Sequence, residues 1–332
     1  MITEEQSIAV VIPAYKVKSH ILQVIEKIGP EVSHIYVVDD CCPENSGDFV
    51  ERNCADKRVE VIRCLQNLGV GGATMTGYKA AIEKGALVIV KIDGDGQMDP
   101  ALISDFVEPI IAGIADYTKG NRFYELERVR AMPRIRLLGN AILSFMTKLS
   151  SGYWDFFDPT NGYTAIHRDV ARCLPFSKIS SRYFFESDML FRLNTLRATV
   201  VDIPMDAKYE NEVSNLKIKK IIAEFLLKHF SNFLKRIFYN YYLRDTSLAS
   251  IELPLGIALL IFGVAFGGIH WVISAKEATP ASAGTVMLSG LTILAGLQLI
   301  LAFIGHDIAS VPRRPFHLLR STSLKKNKGY KN

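Results

Sequence analysis

Residues 87–97, Leu-Val-Ile-Val-Lys-Ile-Asp-Gly-Asp-Gly-Gln, decide the fold: a short β-branched run stops at two carboxylates, Asp93 and Asp95, with Gly94 between them. A run of this length and composition, ended by a turn signal, reads as a buried strand. Working outward, residues 8–13 (IAVVIP), 34–38 (HIYVV) and 59–63 (VEVIR) are of the same kind. Helical patterns lie between them at 19–28, 46–54 and 73–84. Strand–helix alternation predicts an α/β fold, a mostly parallel sheet with helices on both faces. Such a sheet takes ligands beyond the carboxyl ends of its strands, and each of these strands is followed by polar or small residues. Pro13-Ala14-Tyr15 follows the first and Asp39-Asp40 the second. Asn67-Leu68-Gly69-Val70-Gly71-Gly72-Ala73 follows the third.

Two carboxylates at i and i+2 after a strand make a compact set of hard oxygen ligands. They suit Mg²⁺ or Mn²⁺ bridging a diphosphate, because that ion keeps water and phosphate oxygens as its other ligands. The competing reading is a solvated Asp-Gly turn; the preceding strand and the other strand-end residues favour the metal. Gly69, Gly71 and Gly72 can let backbone approach a ligand, or form an ordinary turn. No Lys-Ser/Thr follows them, so this is not a P-loop, and the spacing is not the dinucleotide fingerprint. Asp40 can accept from a base N–H or cap a helix.

The chain has 332 residues, 49% hydrophobic and 22% charged, with net charge +5 and mean hydropathy +0.16. These values exclude disorder and a disulfide scaffold, and the charge does not argue for nucleic acid. The five cysteines (Cys41, Cys42, Cys54, Cys64, Cys173) hold no CxxC pair. Zinc is not indicated, and reduced thiols fit a cytoplasmic domain. Residues 1–6 carry Glu4 and Glu5 and no basic stretch, so no signal peptide is read there.

The apolar excess lies in residues 253–275 and 281–305, which hold no charged residue. Each is long enough to span a bilayer; the alternative is a pair of buried core helices. Lys276 and Glu277 are the only charges in the connector. Arg313, Arg314, Arg320, Lys325, Lys326, Lys328 and Lys331 follow the second span. The positive-inside rule then puts both the tail and the N-terminal region in the cytoplasm. Gly263, Gly267 and Gly268 offer close helix packing, including to a second copy.

Residues 133–150 read as an amphipathic helix, and 216–243 as a longer one. In the longer helix Lys217, Lys220, Glu224, Lys228, Ser231 and Lys235 share a face opposite Ile218, Ile222, Phe225, Phe233 and Ile237. Such a helix lies on an anionic bilayer or packs on the α/β domain with its basic face in water.

Taken together, Val11-Ile12-Pro13-Ala14-Tyr15, Val37-Val38-Asp39-Asp40, Asn67-x-Gly69-x-Gly71-x-Ala73 and Asp93-x-Asp95-x-Gln97 resemble the family 2 glycosyltransferases of GT-A fold, over about residues 7–210. With two spans following, the chain looks like the membrane-anchored polyprenyl-phosphate glycosyltransferases, of which dolichol-phosphate mannose synthases are one type. Lys16 stands where Asn is common, and Cys41-Cys42 where Gly-Ser is usual.

The resemblance implies that Pro13, Ala14, Tyr15, Asp40, Gly69 and Gly71 hold the nucleotide sugar, and that Asp93, Asp95 and Gln97 hold the metal and diphosphate. It implies that Arg122 meets phosphate. It puts Asp158, Asn161 and Glu186 on the acceptor side and Asp188, with Asp95, in catalysis. Asp188 in FFESDMLFRL is expected to be desolvated, as a base needs, or to pair with Arg182 or Arg192. The resemblance further implies in-line displacement with inversion. The acceptor is then a polyprenyl phosphate at an anionic bilayer, or the hydroxyl of a lipid-linked or surface saccharide. Arg128, Arg130 and Arg134 lie in a segment that could act as an acceptor loop, or they only bind lipid. The rival of another class is a membrane scaffold that retains the fold without catalysis. The expected organisation is a catalytic domain over 1–212, a juxtamembrane region over 213–250, two spans within 251–306 and a basic tail over 307–332.

Overall fold

A computed structural model describes residues 7–124, 134–206 and 218–320. Arg128, Arg130, Lys217 and the lysines of the tail lie outside the described residues, as do the side chains of Arg134, Ile218, Lys219, Lys220 and Ile222. The chain forms two compact units, Met1–Phe233 with Pro312–Asn332, and Leu234–Val311.

The first unit is built on a seven-stranded sheet. Its strands are β1 (Ile8–Ala14), β2 (Val32–Asp39), β3 (Val59–Arg63), β4 (Val88–Lys91), β5 (Tyr117–Asn121), β6 (Thr164–His167) and β7 (Val200–Pro204). The order is β3-β2-β1-β4-β6-β5-β7. β1 runs parallel to β2 and β4, and β2 to β3. Every residue of β1 is buried, the pattern of a parallel strand covered on both faces. The helices are α1 (Ile21–Glu26), α2 (Ser46–Asn53), α3 (Gly69–Glu83), α4 (Ile103–Ile111), α5 (Arg134–Ser151), α6 (Arg168–Ala171), α7 (Phe185–Thr195) and α8 (Ile218–Phe238), the last running into the second unit.

Two features of the order position the site. The chain winds outward from β1 through β2 to β3, then crosses back to place β4 on the other side of β1. The carboxyl ends of β1 and β4 therefore flank a switch-point crevice. Next, β6 is antiparallel to both β4 and β5, with Lys91 opposite Thr164. The amino end of an antiparallel strand lies beside the carboxyl end of its neighbour. The segment 158–163 thus arrives next to Asp93.

The glycine-rich segment is the first turn of α3, not a loop before it, since the helix starts at Gly69. β5 and β6 carry no alternating or continuous apolar signature. β5 is Tyr-Thr-Lys-Gly-Asn, yet all five residues are buried.

In the second unit, α8 ends in a π-helical turn, Tyr239–Arg244, and two long helices follow, α9 (Ala249–Glu277) and α10 (Ala283–Ala309). At 29 and 27 residues each is about 40 Å long, more than the ~30 Å hydrocarbon core requires. Only 11% of each apolar window is buried, so these are not the core helices of a soluble domain. They pack through small residues. A Cβ on Gly256 would stand 3.0 Å from the Gly296 carbonyl oxygen, and one on Gly267 2.2 Å from Ser289 Oγ. Gly263 and Gly267 thus pack within the chain, and only Gly268 of the three meets open space.

The buried side of α8 carries His229, Asn232 and Arg236, while Leu227, Phe230, Leu234 and Phe238 are exposed. Ile237 is buried and Glu224 and Lys235 are exposed, as expected, but polar residues share the buried side and apolar ones the exposed side. The polar groups go inward because each finds a partner: His229 pairs with Ser150 Oγ at 2.8 Å, Asn232 donates to Asp188 at 3.0 Å and Arg236 pairs with Asp307 at 2.6 Å. Lys228, expected on a lipid-facing basic stripe, pairs with Glu224 at 2.7 Å.

Candidate active site

A cleft of about 500 Å³ opens at the β1/β4 switch point. It brings together Pro13, Ala14 and Tyr15 from the end of β1, Asp40 from the end of β2, Gly69 from α3, and Asp93 and Asp95 from the end of β4. Lys16, Arg182 and Tyr183 line it as well. Of these, Tyr15 and Tyr183 are 45% and 63% exposed.

The first wall is built by backbone geometry. Lys16 adopts a left-handed conformation with φ +59°, a region where Asn is several-fold enriched. Its N–H donates to Cys42 Sγ at 3.1 Å, and that thiol lies 3.1 Å from Ser46 Oγ. Burial pushes the Cys42 thiol up, but these hydrogen bonds outweigh it and the net shift is downward. Cys41 is left-handed too, φ +53°. The left-handed backbone that Asn and Gly favour is thus adopted here by Lys16 and Cys41.

Asp40 faces the cleft, but both its oxygens accept backbone hydrogens, from Leu68 N at 2.6 Å and Gly69 N at 2.8 Å. Burial raises its carboxyl against those two bonds. Asp40 thus anchors the turn into α3 while lining the cleft. Gly69 itself has φ +82°, and a Cβ there would meet Ser181 O at 2.6 Å. A Cβ on Gly71 would meet the Phe185 ring at 2.6 Å. Gly71 is thus a packing position under α7 and is not part of the cleft wall.

The floor is a buried charge network that the sequence does not announce. Lys91, on the last residue of β4, donates from Nζ to Asp93 Oδ1 at 2.8 Å and to the Gly162 carbonyl at 3.1 Å. It also stands 3.5 Å from Glu186 Oε1. Burial opposes its charge, but Asp93 and Glu186 outweigh that, and its pKa is raised. Burial likewise raises Glu186, against the pull of Lys91 and Lys119. Gly162 must be glycine, because a Cβ would lie 2.5 Å from both Asp93 Oδ2 and Lys91 Nζ. Lys119 of β5 donates to the Asn161 carbonyl, and burial lowers its pKa to about 8.

Several expected site residues stand elsewhere. Gln97 is not on the cleft wall; its N–H donates to Asp95 Oδ1 at 3.0 Å and closes the turn. Arg122 grips Asp158 through two bonds, Nε to Oδ2 at 2.6 Å and an Nη to Oδ1 at 2.9 Å. Arg122 borders a separate cleft with Asp99 and Tyr124. The fork expected on phosphate is closed on a buried carboxylate. Asn161 is buried and accepts from Tyr163 N at 3.0 Å.

Asp188 departs most from expectation. One oxygen accepts from Ser180 N at 2.8 Å and the other from Asn232 Nδ2 at 3.0 Å. Two residues of helix rotate a side chain by about 200°. Glu186 therefore looks to Lys91 from the first turn of α7, and Asp188 looks away to α8. Arg182, Lys91 and Lys119 are the residues of the site that sequence reasoning missed. A lysine inside an apolar strand is the one visible signal.

A crevice at the switch point of this sheet, walled by a strand-end Asp-Gly-Asp and exposed tyrosines, is that of an α/β domain of GT-A type. Residues 9–174 match the family model described as glycosyl transferase family 2, and the chain belongs to that family. It is 29% identical over 219 residues to the UDP-N-acetylglucosamine–dolichyl-phosphate N-acetylglucosaminyltransferase of Methanococcus voltae, covering 62% of this chain and 87% of the relative. It is 30% identical over 206 residues to the polyprenol monophosphomannose synthase of Mycolicibacterium smegmatis, covering 60% and 77%. It is also 30% identical over 175 residues to the undecaprenyl-phosphate mannosyltransferase of Micrococcus luteus, covering 52% and 71%. Among solved structures, glucosyl-3-phosphoglycerate synthase of Mycobacterium tuberculosis, in complex with Mn²⁺, UDP and glucosyl-3-phosphoglycerate, superposes with TM-score 0.51 at 17% identity, over 70% of this chain and 80% of that one. That likeness is of fold. The chain is a glycosyltransferase with two apolar helices long enough to cross a membrane.

Proposed function

We propose that the protein moves a sugar from a nucleoside diphosphate sugar to a polyprenyl phosphate at the cytoplasmic face of a membrane, with inversion at the anomeric carbon and with a divalent cation. The observation that carries this reading is the single cleft that joins Tyr15, Asp93 and Asp95.

The donor set fits a hard cation. Asp93 Oδ1 is taken by Lys91, while Oδ2 accepts no hydrogen bond among the described residues. No group of three His, Cys, Asp or Glu side chains is arranged to hold a metal alone among those residues. An ion that keeps phosphate and water ligands needs no such group. Mg²⁺ or Mn²⁺ held by Asp93 and Asp95 would neutralise charge gathering on the departing diphosphate. The exposed aromatic rings of Tyr15 and Tyr183 line the cleft, where a nucleobase would stack.

In the reaction, an acceptor oxygen forms a bond to C1 on one face of the sugar. The bond from C1 to the diphosphate oxygen breaks on the other, and its electron pair leaves with the nucleotide. A phosphate monoester has a second pKa of about 6, so at neutral pH it attacks without giving up a proton. Lys91 holds the Asp93 carboxylate in place and balances Glu186. Glu186, not Asp188, is then the carboxylate beside the reacting centre, and it orients sugar or acceptor.

The relatives' names, transferases to dolichyl, polyprenol and undecaprenyl phosphate, support a lipid phosphate. Exposed apolar stripes on α5 (Leu138, Ile142, Phe145) and α8 (Leu227, Phe230, Leu234) support action at a lipid surface. The exposed Arg313 and Arg314 supply charge for anionic headgroups. A saccharide hydroxyl as acceptor is the second reading, favoured by the buried Glu186 carboxyl, which could remove its proton.

The test is the full chain in detergent, given a panel of labelled nucleotide sugars and a short polyprenyl phosphate, with and without Mn²⁺. Labelled lipid phosphate sugar on a thin-layer plate, lost with chelator, is expected. Sugar passing only to a lipid-linked saccharide would overturn the acceptor. Absence of any Mn²⁺-dependent nucleotide binding would leave a scaffold.

A further inference from the structure

With Arg122 committed to Asp158, the cleft needs another cation opposite the carboxylates if it is to hold a diphosphate. Arg182 lines the same cleft as Asp93 and Asp95 and is exposed. Its guanidinium forms no ion pair or hydrogen bond among the described residues. Lys16, the other exposed cation on the wall, instead places its ammonium 5.7 Å from the centre of the Tyr15 ring.

The loop that carries Arg182 is built to hold it there. Gly72 N donates to the Ser181 carbonyl at 3.0 Å. Gly69 has no side chain to keep the loop off, and a Cβ there would lie 2.8 Å from Arg182 Cγ. On the other flank, Asp188 accepts Ser180 N at 2.8 Å and is itself fixed by Asn232 at 3.0 Å. Phe185, just after the loop, packs into the space left by Gly71. The glycines after β3 therefore serve the loop at 180–185. Of their backbone N–H groups, those of Leu68 and Gly69 go to Asp40 and that of Gly72 to Ser181.

We propose that Arg182 is the residue that binds the donor's diphosphate in this chain, and that Asp188 is the positioning residue that clamps the loop presenting it. The inference rests on the nucleotide-sugar reading of the cleft. A planar fork binds two phosphate oxygens at once, which a lysine in its place could not do.

Binding of UDP and GDP, and of uridine and guanosine, is measured by calorimetry with Mn²⁺ present. Arg182→Met should weaken the diphosphate that the wild type binds by roughly 10- to 100-fold, the worth of a charge-assisted pair. It should leave the matching nucleoside within about 2-fold, since no phosphate contact is lost. Arg182→Lys should recover part of the loss. Asp188→Asn keeps an acceptor for Ser180 N–H. It should raise the donor KM several-fold and leave kcat within about 3-fold, whereas loss of a base costs roughly 10²–10⁴ in kcat. Asn232→Ala, which leaves Asp188 itself intact, should move KM in the same direction.

Arg182→Met with wild-type diphosphate affinity would overturn the inference. So would Asp188→Asn with donor KM unchanged and kcat collapsed. A wild-type protein that binds neither nucleotide would instead sink the nucleotide-sugar reading beneath it, and the two failures are told apart by the wild-type titration.

Discussion

Lys91 is a fully buried ammonium between two carboxylates and a carbonyl. Removing one partner of such a cluster leaves uncompensated charge in a dry place, at about 3–5 kcal/mol. Lys91→Met should therefore lower the melting temperature sharply. It should also weaken Mn²⁺ binding measured by spin resonance, because Asp93 loses the group that orients it; unchanged Mn²⁺ affinity would refute that role. Gly162→Ala is a steric test of the same spot. Its Cβ would enter the space between Asp93 Oδ2 and Lys91 Nζ, and turnover should drop by roughly 100-fold or more, the scale of misplaced reacting groups. Circular dichroism should still report a folded chain.

At the scale of elements, the second unit carries its own buried ion pair. Arg236 at the end of α8 meets Asp307 near the end of α10 through two bonds, of 2.6 and 3.0 Å. Tyr241 O–H, in the π-helical turn, donates to the same carboxylate at 2.6 Å. Asp307→Ala strands a buried guanidinium, and a loss of about 3–5 kcal/mol is expected, read as a lower unfolding temperature in detergent. Replacing Arg236 and Asp307 together by Leu should cost much less, since neither charge is then left alone. Equal losses from the single and double variants would count against a direct pairing.

At the scale of the whole molecule, the chain leaves the first unit after Phe233 and rejoins it at Pro312. The returning segment is tied down at the amino end of β5. Asp116 accepts from Thr199 N, Phe316 N, His317 N and His317 Nδ1 at 2.6–3.0 Å. Burial alone would raise its carboxyl, but these donors hold it below its ordinary value. His317 stacks on His167, their centroids 4.2 Å apart. Burial, with His317 beside it, lowers His167 to about 4, and burial lowers His229 to about 4 as well. Both imidazoles are neutral in the folded chain and take a proton near pH 6.5 once unfolded. The unfolded state then binds more protons, so stability is full above pH 6.5 and falls as the pH drops from 6.5 towards 4, by up to about 3 kcal/mol per group. The unfolding temperature of the first unit should fall across that window. His229→Gln should flatten part of the slope. A melting temperature level from pH 7 to pH 4.5 would contradict the burial of these rings.

Much of this was legible before any coordinates. Continuous β-branched runs announce buried parallel strands because both faces of such a sheet are covered, and β1 to β4 fall where those runs lie. The uncharged stretches announce α9 and α10 because a bilayer demands length and apolarity. Asp93-Gly94-Asp95 announces the site because a strand end in an α/β sheet is where ligands go. The strands β5 and β6 were not legible, because their burial comes from neighbours and not from their own composition. Lys119 is hidden inside such a strand.

What the sequence by itself determined is therefore the local alphabet: which segments become strands or long apolar helices, and which residue types wait at strand ends. The tertiary structure alone decided which of those residues face one another. Antiparallel β6 brought Gly162 beneath Asp93, and a helical turn sent Glu186 to Lys91 and Asp188 away from it. A buried acid closed the fork of Arg122 and left Arg182 open. Periodicity is a property of neighbours along the chain, whereas a hydrogen-bond partner is settled only when distant segments compete for the same few atoms.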